Sequence, residues 1–169
     1  AAYLDPPTTT EQILHPELYR KEDPVEVTLP DGVEALGEGW RELEAGVMGE
    51  WFTRLVMDEE IPDWEAEEAA AGWGGDAYRA YANEAEDQTA LVLLTRWDSA
   101  GDAFEFVQAF EAYAGWRFGE RHTDQAERRW TWRHGSVLLE RAYDQTLWIV
   151  ADDEGLQQTL RDTIEFPAP

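Results

Sequence analysis

Residues 129–152, RWTWRHGSVLLERAYDQTLWIVAD, decide the fold class of this chain. The stretch holds three strand-like apolar runs separated by two-residue connections: 129–133, 136–143 and 146–152, with His134-Gly135 and Asp144-Gln145 between them. A connection of two residues joins antiparallel strands, because a parallel crossover needs a dozen or more residues. The sequence therefore predicts a three-stranded antiparallel meander.

The chain upstream of this meander supplies further strands and several helices. Residues 76–82 and 89–97 read as a second hairpin joined by NEAEDQ, and 25–29 (VEVTL) and 40–43 (WREL) read as two more strands. Helices are predicted over four stretches: Val47–Met57, the residues after an Asp63 cap, the residues after a cap by Ser99 and Asp102, and 153–164. This order predicts an α+β fold, with a mainly antiparallel sheet of roughly five to seven strands covered by helices.

Two of these helices carry apolar stripes that we expect to face the core. The first stripe contains Val47, Met48, Trp51, Phe52, Leu55 and Val56, with Glu50 on the other side; the second contains Ala103, Phe106, Val107, Phe110, Tyr113 and Ala114. Near the start of the chain, Thr8 and Glu11 fit a capping box for a short helix that ends toward Pro16. We therefore divide the chain into an extended arm with a short helix (1–24) and a single α+β domain (25–169).

The stretch AAAGWGGDAY, residues 69–78, is predicted to be structural. Phosphate-binding glycine loops run from a strand into a helix, whereas Gly72, Gly74 and Gly75 lie between a helix and a strand and have no lysine beside them. We expect Gly72 to end the helix in the left-handed region and Gly74-Gly75 to turn the chain sharply beside a buried Trp73. Asp76 then leads into the strand.

The charge of the chain is strongly negative and restricts its partners. It has 37 acidic and 13 basic residues, a formal net charge of -24, and Lys21 as its only lysine. Such repulsion is largely screened in molar salt, so the composition favours a protein from a very salty environment that needs high salt to fold, over an acidic mesophilic protein. Nucleic acid is an unfavourable partner. The chain has no cysteine, and no apolar run long enough to span a membrane.

Three segments, AAAGWGGDAYRAY, TALVLLTRWDSAGDAFEFVQAF and DPPTTTEQILHPELY, carry a family resemblance that spans residues 3–114. They resemble the C-terminal part of poorly characterised secreted or surface proteins of haloarchaea and some bacteria. Longer members of that family can carry an upstream gluzincin-like peptidase region with a His-Glu-x-x-His zinc helix. This chain has no such pentapeptide, so the resemblance implies an extracytoplasmic or cell-surface setting and a halophilic source, but no activity for this stretch.

Few residues of the chain are candidates for a functional site. His15 lies near Glu11 and Glu17, but Pro16 interrupts the helix that would align them, so we expect an arm packed on the domain and no metal site. The two serines, Ser99 and Ser136, lack the strained turn of a hydrolase nucleophile, so no catalytic residue and no cofactor is predicted. Most tryptophans should be in the core. Trp116 and the loop around it, GWRFGERHTDQ, are expected to be exposed.

The candidate ligand-binding residues are therefore Trp116, His122 and His15. The leading interpretation is a non-catalytic extracytoplasmic accessory or interaction module of a halophilic surface protein, with a protein or glycan partner at the cell surface. Two alternatives stay open. The chain can be part of a larger zinc-peptidase-like protein whose catalytic residues lie elsewhere, or it can be a glycan-binding module.

Overall fold

The computed structural model describes residues 6–19, 21, 23–119 and 128–166. Its elements, in chain order, are α1 (Glu11–Leu14), α2 (Val33–Leu36), β1 (Arg41–Gly46), α3 (Gly49–Asp58), α4 (Asp63–Ala70), β2 (Trp73–Asn83), β3 (Gln88–Trp97), α5 (Ala100–Phe118), β4 (Arg128–Trp132), β5 (Gly135–Ala142), β6 (Gln145–Ala151) and α6 (Glu154–Asp162). None of these helices is long and apolar enough to cross a membrane.

The six strands form one antiparallel sheet in the order β1-β2-β3-β6-β5-β4. The predicted α+β class, the meander and the β2–β3 hairpin are all confirmed. The two hairpin systems meet where β3 pairs with β6, with Leu93 opposite Trp148. The apolar residues of these two central strands alternate between the two sheet faces, so both faces must be covered to exclude water.

Helices α3, α4 and α5 cover one sheet face, here called the helix face. The predicted stripe of α5 is confirmed, because all six of its members are buried. Phe110 is its centre: its ring lies 5.6 Å from that of Trp130 and 4.9 Å from that of Trp148, both edge-on. Edge-to-face pairs of this kind add about 0.5–1.5 kcal/mol each to the burial of the rings.

The opposite face of the sheet is covered by α6, α2 and the extended segment 25–29. Leu29 and Leu160 are buried there against strand residues such as Ile149. A polar group lies within this layer, because the fully buried Gln157 accepts from Arg129 and from the Ser136 hydroxyl. A buried amide requires such partners, and these bonds fix α6 on the sheet.

Segment 25–29 was predicted to be a strand, and this is wrong. Its backbone is extended but forms no ladder with the sheet: Val25 N–H donates to Gly74 O at 2.7 Å, and Leu29 O accepts from Arg79 Nε at 3.1 Å. Alternation of apolar and polar residues shows that one side of an extended segment is buried. It does not distinguish a sheet strand from a segment that packs on top of one.

The glycine stretch differs in part from its prediction. Gly72 does have a positive φ, 75°. Strand β2, however, begins at Trp73, so Gly74 and Gly75 lie within the strand, where the pairing register shifts between Trp73 and Gly75. At Gly75 a Cβ would lie 2.1 Å from Val25 O. Glycine is needed at this position because another backbone passes directly over it.

Of the three predicted N-terminal helix caps, two differ from the structure and one is confirmed. The Thr8–Glu11 box is shifted by one residue: Thr9 Oγ1 accepts from Gln12 N–H, and Gln12 Oε1 accepts from Thr8 N–H. Asp63 is the first residue of α4, not its cap. Ser99 does cap α5, since its hydroxyl accepts from the N–H groups of Gly101 and Asp102.

Candidate functional site

Helix α3 has the reverse orientation from the one its apolar stripe predicts. Glu50 and Thr53 are buried, whereas Trp51, Phe52 and Leu55 are exposed by 45%, 38% and 45%. Positions i, i+1 and i+4 lie on one side of a helix, so these three side chains form one continuous apolar strip facing solvent. The prediction that this stripe faces the core is therefore wrong for these residues.

The buried carboxylate of Asp76 holds α3 in this orientation. Asp76 on β2 accepts from Met48 N–H at 2.8 Å, from Gly49 N–H at 2.7 Å and from Trp73 Nε1 at 2.8 Å. Burial raises the pKa of Asp76, while these three donors stabilise its charged form. A carboxylate at a helix N-terminus satisfies backbone donors that the helix itself leaves unpaired. Asp76 therefore fixes the first turn of α3 against β2.

The short helix α1 packs beside this first turn. Thr10 Oγ1 accepts from Trp51 N–H at 3.3 Å, and a Cβ at Gly49 would lie 2.4 Å from the same oxygen. Ile13, which is 64% exposed, and Leu14 line a hollow of about 260 Å³ against Trp51. We define the apolar patch as four residues: Ile13, Trp51, Phe52 and Leu55.

His15 joins the arm to α3 through the buried carboxylate of Glu50. His15 Nε2 lies 2.9 Å from Glu50 Oε1, and His15 Nδ1 lies 3.8 Å from Glu17. The hydrogen bond to Glu50 raises the pKa of His15, and burial raises the pKa of Glu50. Among the described residues, Glu50 Oε2 is a buried oxygen without a hydrogen-bond partner. The pair therefore ties the arm to α3, as the prediction of a packed arm requires.

The other predicted binding residues lie elsewhere. Trp116, in the last turn of α5, is 77% exposed, which agrees with its predicted exposure. His122 lies outside the described residues. Five of the nine tryptophans are buried, as predicted for most of them: Trp40, Trp73, Trp97, Trp130 and Trp148.

A second surface hollow involves an exposed tryptophan that the sequence argument did not single out. Trp64 on α4 is 66% exposed and lines a groove of about 410 Å³ between α4 and α5. Glu65, Glu105 and Gln108 line the same groove. An aromatic ring beside carboxylates and an amide offers both a stacking surface and hydrogen-bonding groups.

Gly72 and Asp102, both predicted to be structural, lie together. A Cβ at Gly72 would be 2.6 Å from the Asp102 carboxyl carbon, and Gly72 O accepts from Asp98 N–H at 2.7 Å. The end of α4 therefore packs directly on the start of α5, with no room for a side chain. The structure assigns these residues to packing between helices.

Across residues 6–19, 21, 23–119 and 128–166, no group of three or more His, Asp or Glu residues is placed to hold a metal ion. Residues 36–161 match the family described as Domain of unknown function (DUF8575). The chain belongs to DUF8575. No curated protein matches it. The DUF8575 match spans β1 through most of α6, and α1 precedes it.

Sequence reasoning missed three features of this DUF8575 chain: the inward Glu50, the outward Trp51 strip and the three bonds to Asp76. One signal was present. Gly49 and Thr53 flank Glu50 on α3, and small residues at helical spacing permit close packing of that side against a neighbour. The partner that makes a buried Glu50 tolerable, His15, is 35 residues away in sequence.

Proposed function

We propose that this DUF8575 chain is a non-catalytic, extracytoplasmic accessory or interaction module of a halophilic surface protein. The apolar patch carries the proposal. A chain with a net charge of -24 presents Ile13, Trp51, Phe52 and Leu55 together on one exposed surface. Contiguous exposed apolar groups mark interaction sites, and covering each one contributes on the order of 1 kcal/mol.

The partner for this patch is a protein segment with apolar anchors and basic flanks. The patch is bordered by acids: Glu59 follows Leu55 by one helical turn, and Glu17 lies next to His15. Arg54, the basic residue of α3, is paired with Asp63 and Glu67. Acidic borders favour a basic partner and disfavour a second copy of this chain.

The test uses two helical peptides with the same leucine face, one with lysines and the other with glutamates on the polar face. Binding is measured by fluorescence anisotropy in about 1 M and about 2 M KCl, where charges are strongly screened. We expect saturable binding of the lysine peptide, weakened about tenfold by the double substitution Trp51→Ser and Leu55→Ser. The matched control, Phe104→Ser, removes an exposed aromatic residue from α5 and should leave binding unchanged.

Two results would contradict the proposal. The first is binding by the double variant that is as tight as binding by the unchanged chain, whereas equal binding of both peptides at about 1 M KCl would contradict the preference for a basic partner. The second is a concentration-dependent dimer in sedimentation experiments that the double variant abolishes, since this would assign the patch to a second copy.

A glycan-binding role is the second candidate, and the exposed tryptophans favour it. Trp64 with its groove, and Trp116 at the end of α5, are both available for stacking on sugar rings. A glycan array in about 2 M KCl, with Trp64→Ala and Trp116→Ala as variants, tests this role. If neither variant reduces the binding of glycans on the array, Trp64 and Trp116 are not part of a glycan site.

A further inference from the structure

The helix face of the sheet carries a row of apolar side chains beyond the end of its helical cover. Leu91 on β3 pairs with Ala80 on β2 and with Val150 on β6, and all three are only partly buried. In the same row Val150 pairs with Val137, which belongs to the core under α5 and is fully buried. Within the part of the chain that the structure describes, the helical cover therefore stops between Val137 and Val150.

Two larger side chains make walls for this row. Leu43 lies at the register shift of β1 and is 48% exposed. Trp132 on β4 stands on the other side, and its ring stacks on that of Phe118 with centroids 4.5 Å apart. The space between them is about 330 Å³, within the usual size of small-molecule sites. We call it the sheet groove, with Ala80, Leu91 and Val150 as its floor.

The border of the sheet groove is polar and acidic. Asp152 lies at one end, where its Oδ2 accepts from Thr89 N–H, and His134 lines the same end. Glu44 on β1 pairs in register with Ala80 on β2 but does not line the groove, and its carboxylate hydrogen-bonds with the Tyr78 hydroxyl. The Asp152 carboxylate at the border disfavours an anion and favours a cation, which the face of an indole ring such as that of Trp132 also attracts.

We propose that the sheet groove is a binding site for a small, flat, apolar molecule that carries a positive charge. The flat apolar body covers Leu91 and Val150 beside Trp132, and the charged end faces Asp152. Residues of β1, β2, β3, β4 and β6 form the sheet groove, and none of them belongs to the apolar patch. Binding at the groove is therefore independent of the interaction-module proposal.

Three probes that share one ring system separate shape from charge: naphthylmethylammonium, naphthylmethanol and naphthylacetate. Their binding to the whole chain is measured by equilibrium dialysis in about 1 M KCl. We expect saturable binding of the ammonium probe, about threefold tighter than the alcohol, with the carboxylate weakest. Asp152→Asn keeps an acceptor for Thr89 and should remove the preference for the ammonium probe over the alcohol.

A second experiment fills the sheet groove with a larger side chain. Ala80→Phe places a ring on the floor and should weaken all three probes about tenfold. The matched control, Ala45→Phe, adds the same ring at an exposed position that pairs with Arg79 and so lies on the opposite sheet face. Near-ultraviolet circular dichroism establishes that both variants are folded.

Several outcomes would overturn the proposal: no saturable binding of any probe, equal binding by Ala80→Phe, or tightest binding of the carboxylate. Self-association that Ala80→Phe alone abolishes would instead assign the groove to a second copy of the chain. Loss of the ammonium preference in Asp152→Asn, with the alcohol still bound, is the result that the charge argument requires.

Discussion

Replacing Asp76 by asparagine should destabilise the fold more than any neutralisation of a surface carboxylate. The side chain of Asp76 is buried and accepts three hydrogen bonds, two of them through Oδ2. The amide oxygen of asparagine can take the place of Oδ2 and keep the bonds from Gly49 N–H and Trp73 Nε1, and its NH₂ group then faces the Met48 N–H donor. One hydrogen bond is lost, and the other two become bonds to a neutral acceptor.

The magnitude follows from one lost bond and two weakened bonds. Hydrogen bonds to a charged group contribute about 1.5–3 kcal/mol each and those between neutral groups about 0.5–1.5 kcal/mol, which gives a gross loss of about 3–6 kcal/mol. Removing a buried charge offsets part of this loss, because burial already raises the pKa of Asp76. We expect a net decrease of about 2–4 kcal/mol in the free energy of unfolding. For a chain of this size, that is a Tm lower by about 5–15 °C.

The assay is urea unfolding followed by tryptophan fluorescence in about 2 M KCl, which screens the general surface charge. The control is Asp87→Asn. Asp87 is exposed in the β2–β3 turn with φ 53°, a conformation that asparagine adopts readily. A loss below about 1 kcal/mol for Asp76→Asn, or one equal to that of the control, would refute the role given to Asp76.

Four further expectations concern the arm, the glycines and the surface charge. Gly72→Ala should lower the free energy of unfolding by about 1–3 kcal/mol, measured by chemical unfolding. Gly72 has a φ of 75°, and a Cβ there would lie 2.6 Å from the carboxyl carbon of Asp102. Gly75→Ala should cost at least as much, because its Cβ would meet Val25 O, and a loss below about 0.5 kcal/mol would contradict that close approach. The pKa of His15 is raised, so its contribution to stability is complete below about pH 6.5 and is lost as the pH rises through the raised value. The raised pKa of Glu50 acts in the same direction at lower pH. Tm should therefore fall on going from about pH 6 to about pH 9, and this fall should shrink in His15→Gln; an equal fall in both proteins would contradict the assignment. Finally, Tm should rise between about 0.1 M and about 2 M KCl, and identical values would show that the carboxylate surface does not oppose folding.

The sequence predicts the sheet of this chain well and its outer layer less well. Two-residue connections such as His134-Gly135 leave the chain one option, so the antiparallel meander follows from local sequence. The stripe of α5 is also predictable, because its six apolar residues recur at helical spacing and Glu105, Gln108 and Glu111 lie on the other side. Helix α3 has apolar residues over more than half of its circumference, so its periodicity identifies a helix and does not tell which side is buried.

Contacts between distant segments determine which side of α3 is buried and where the sheet groove forms, and local sequence patterns do not contain this information. The orientation of α3 depends on Asp76, 27 residues beyond Gly49, and on His15, 35 residues before Glu50. The sheet groove is a still more distributed feature, since its floor and walls come from five strands. No single stretch carries such a site, which is why Trp116 was identifiable from sequence and the groove was not.

Segment 25–29 has a practical consequence for where the cooperative folding unit ends. The DUF8575 match begins at residue 36, yet Leu29 fills part of the core and the backbone at Val25 lies against Gly75. Residues 36–161 expressed alone would leave that apolar surface of the sheet open to water and would lose Ile164 and Phe166 as well. A polypeptide with these boundaries should aggregate or unfold non-cooperatively, whereas residues 1–169 together should melt in a single transition.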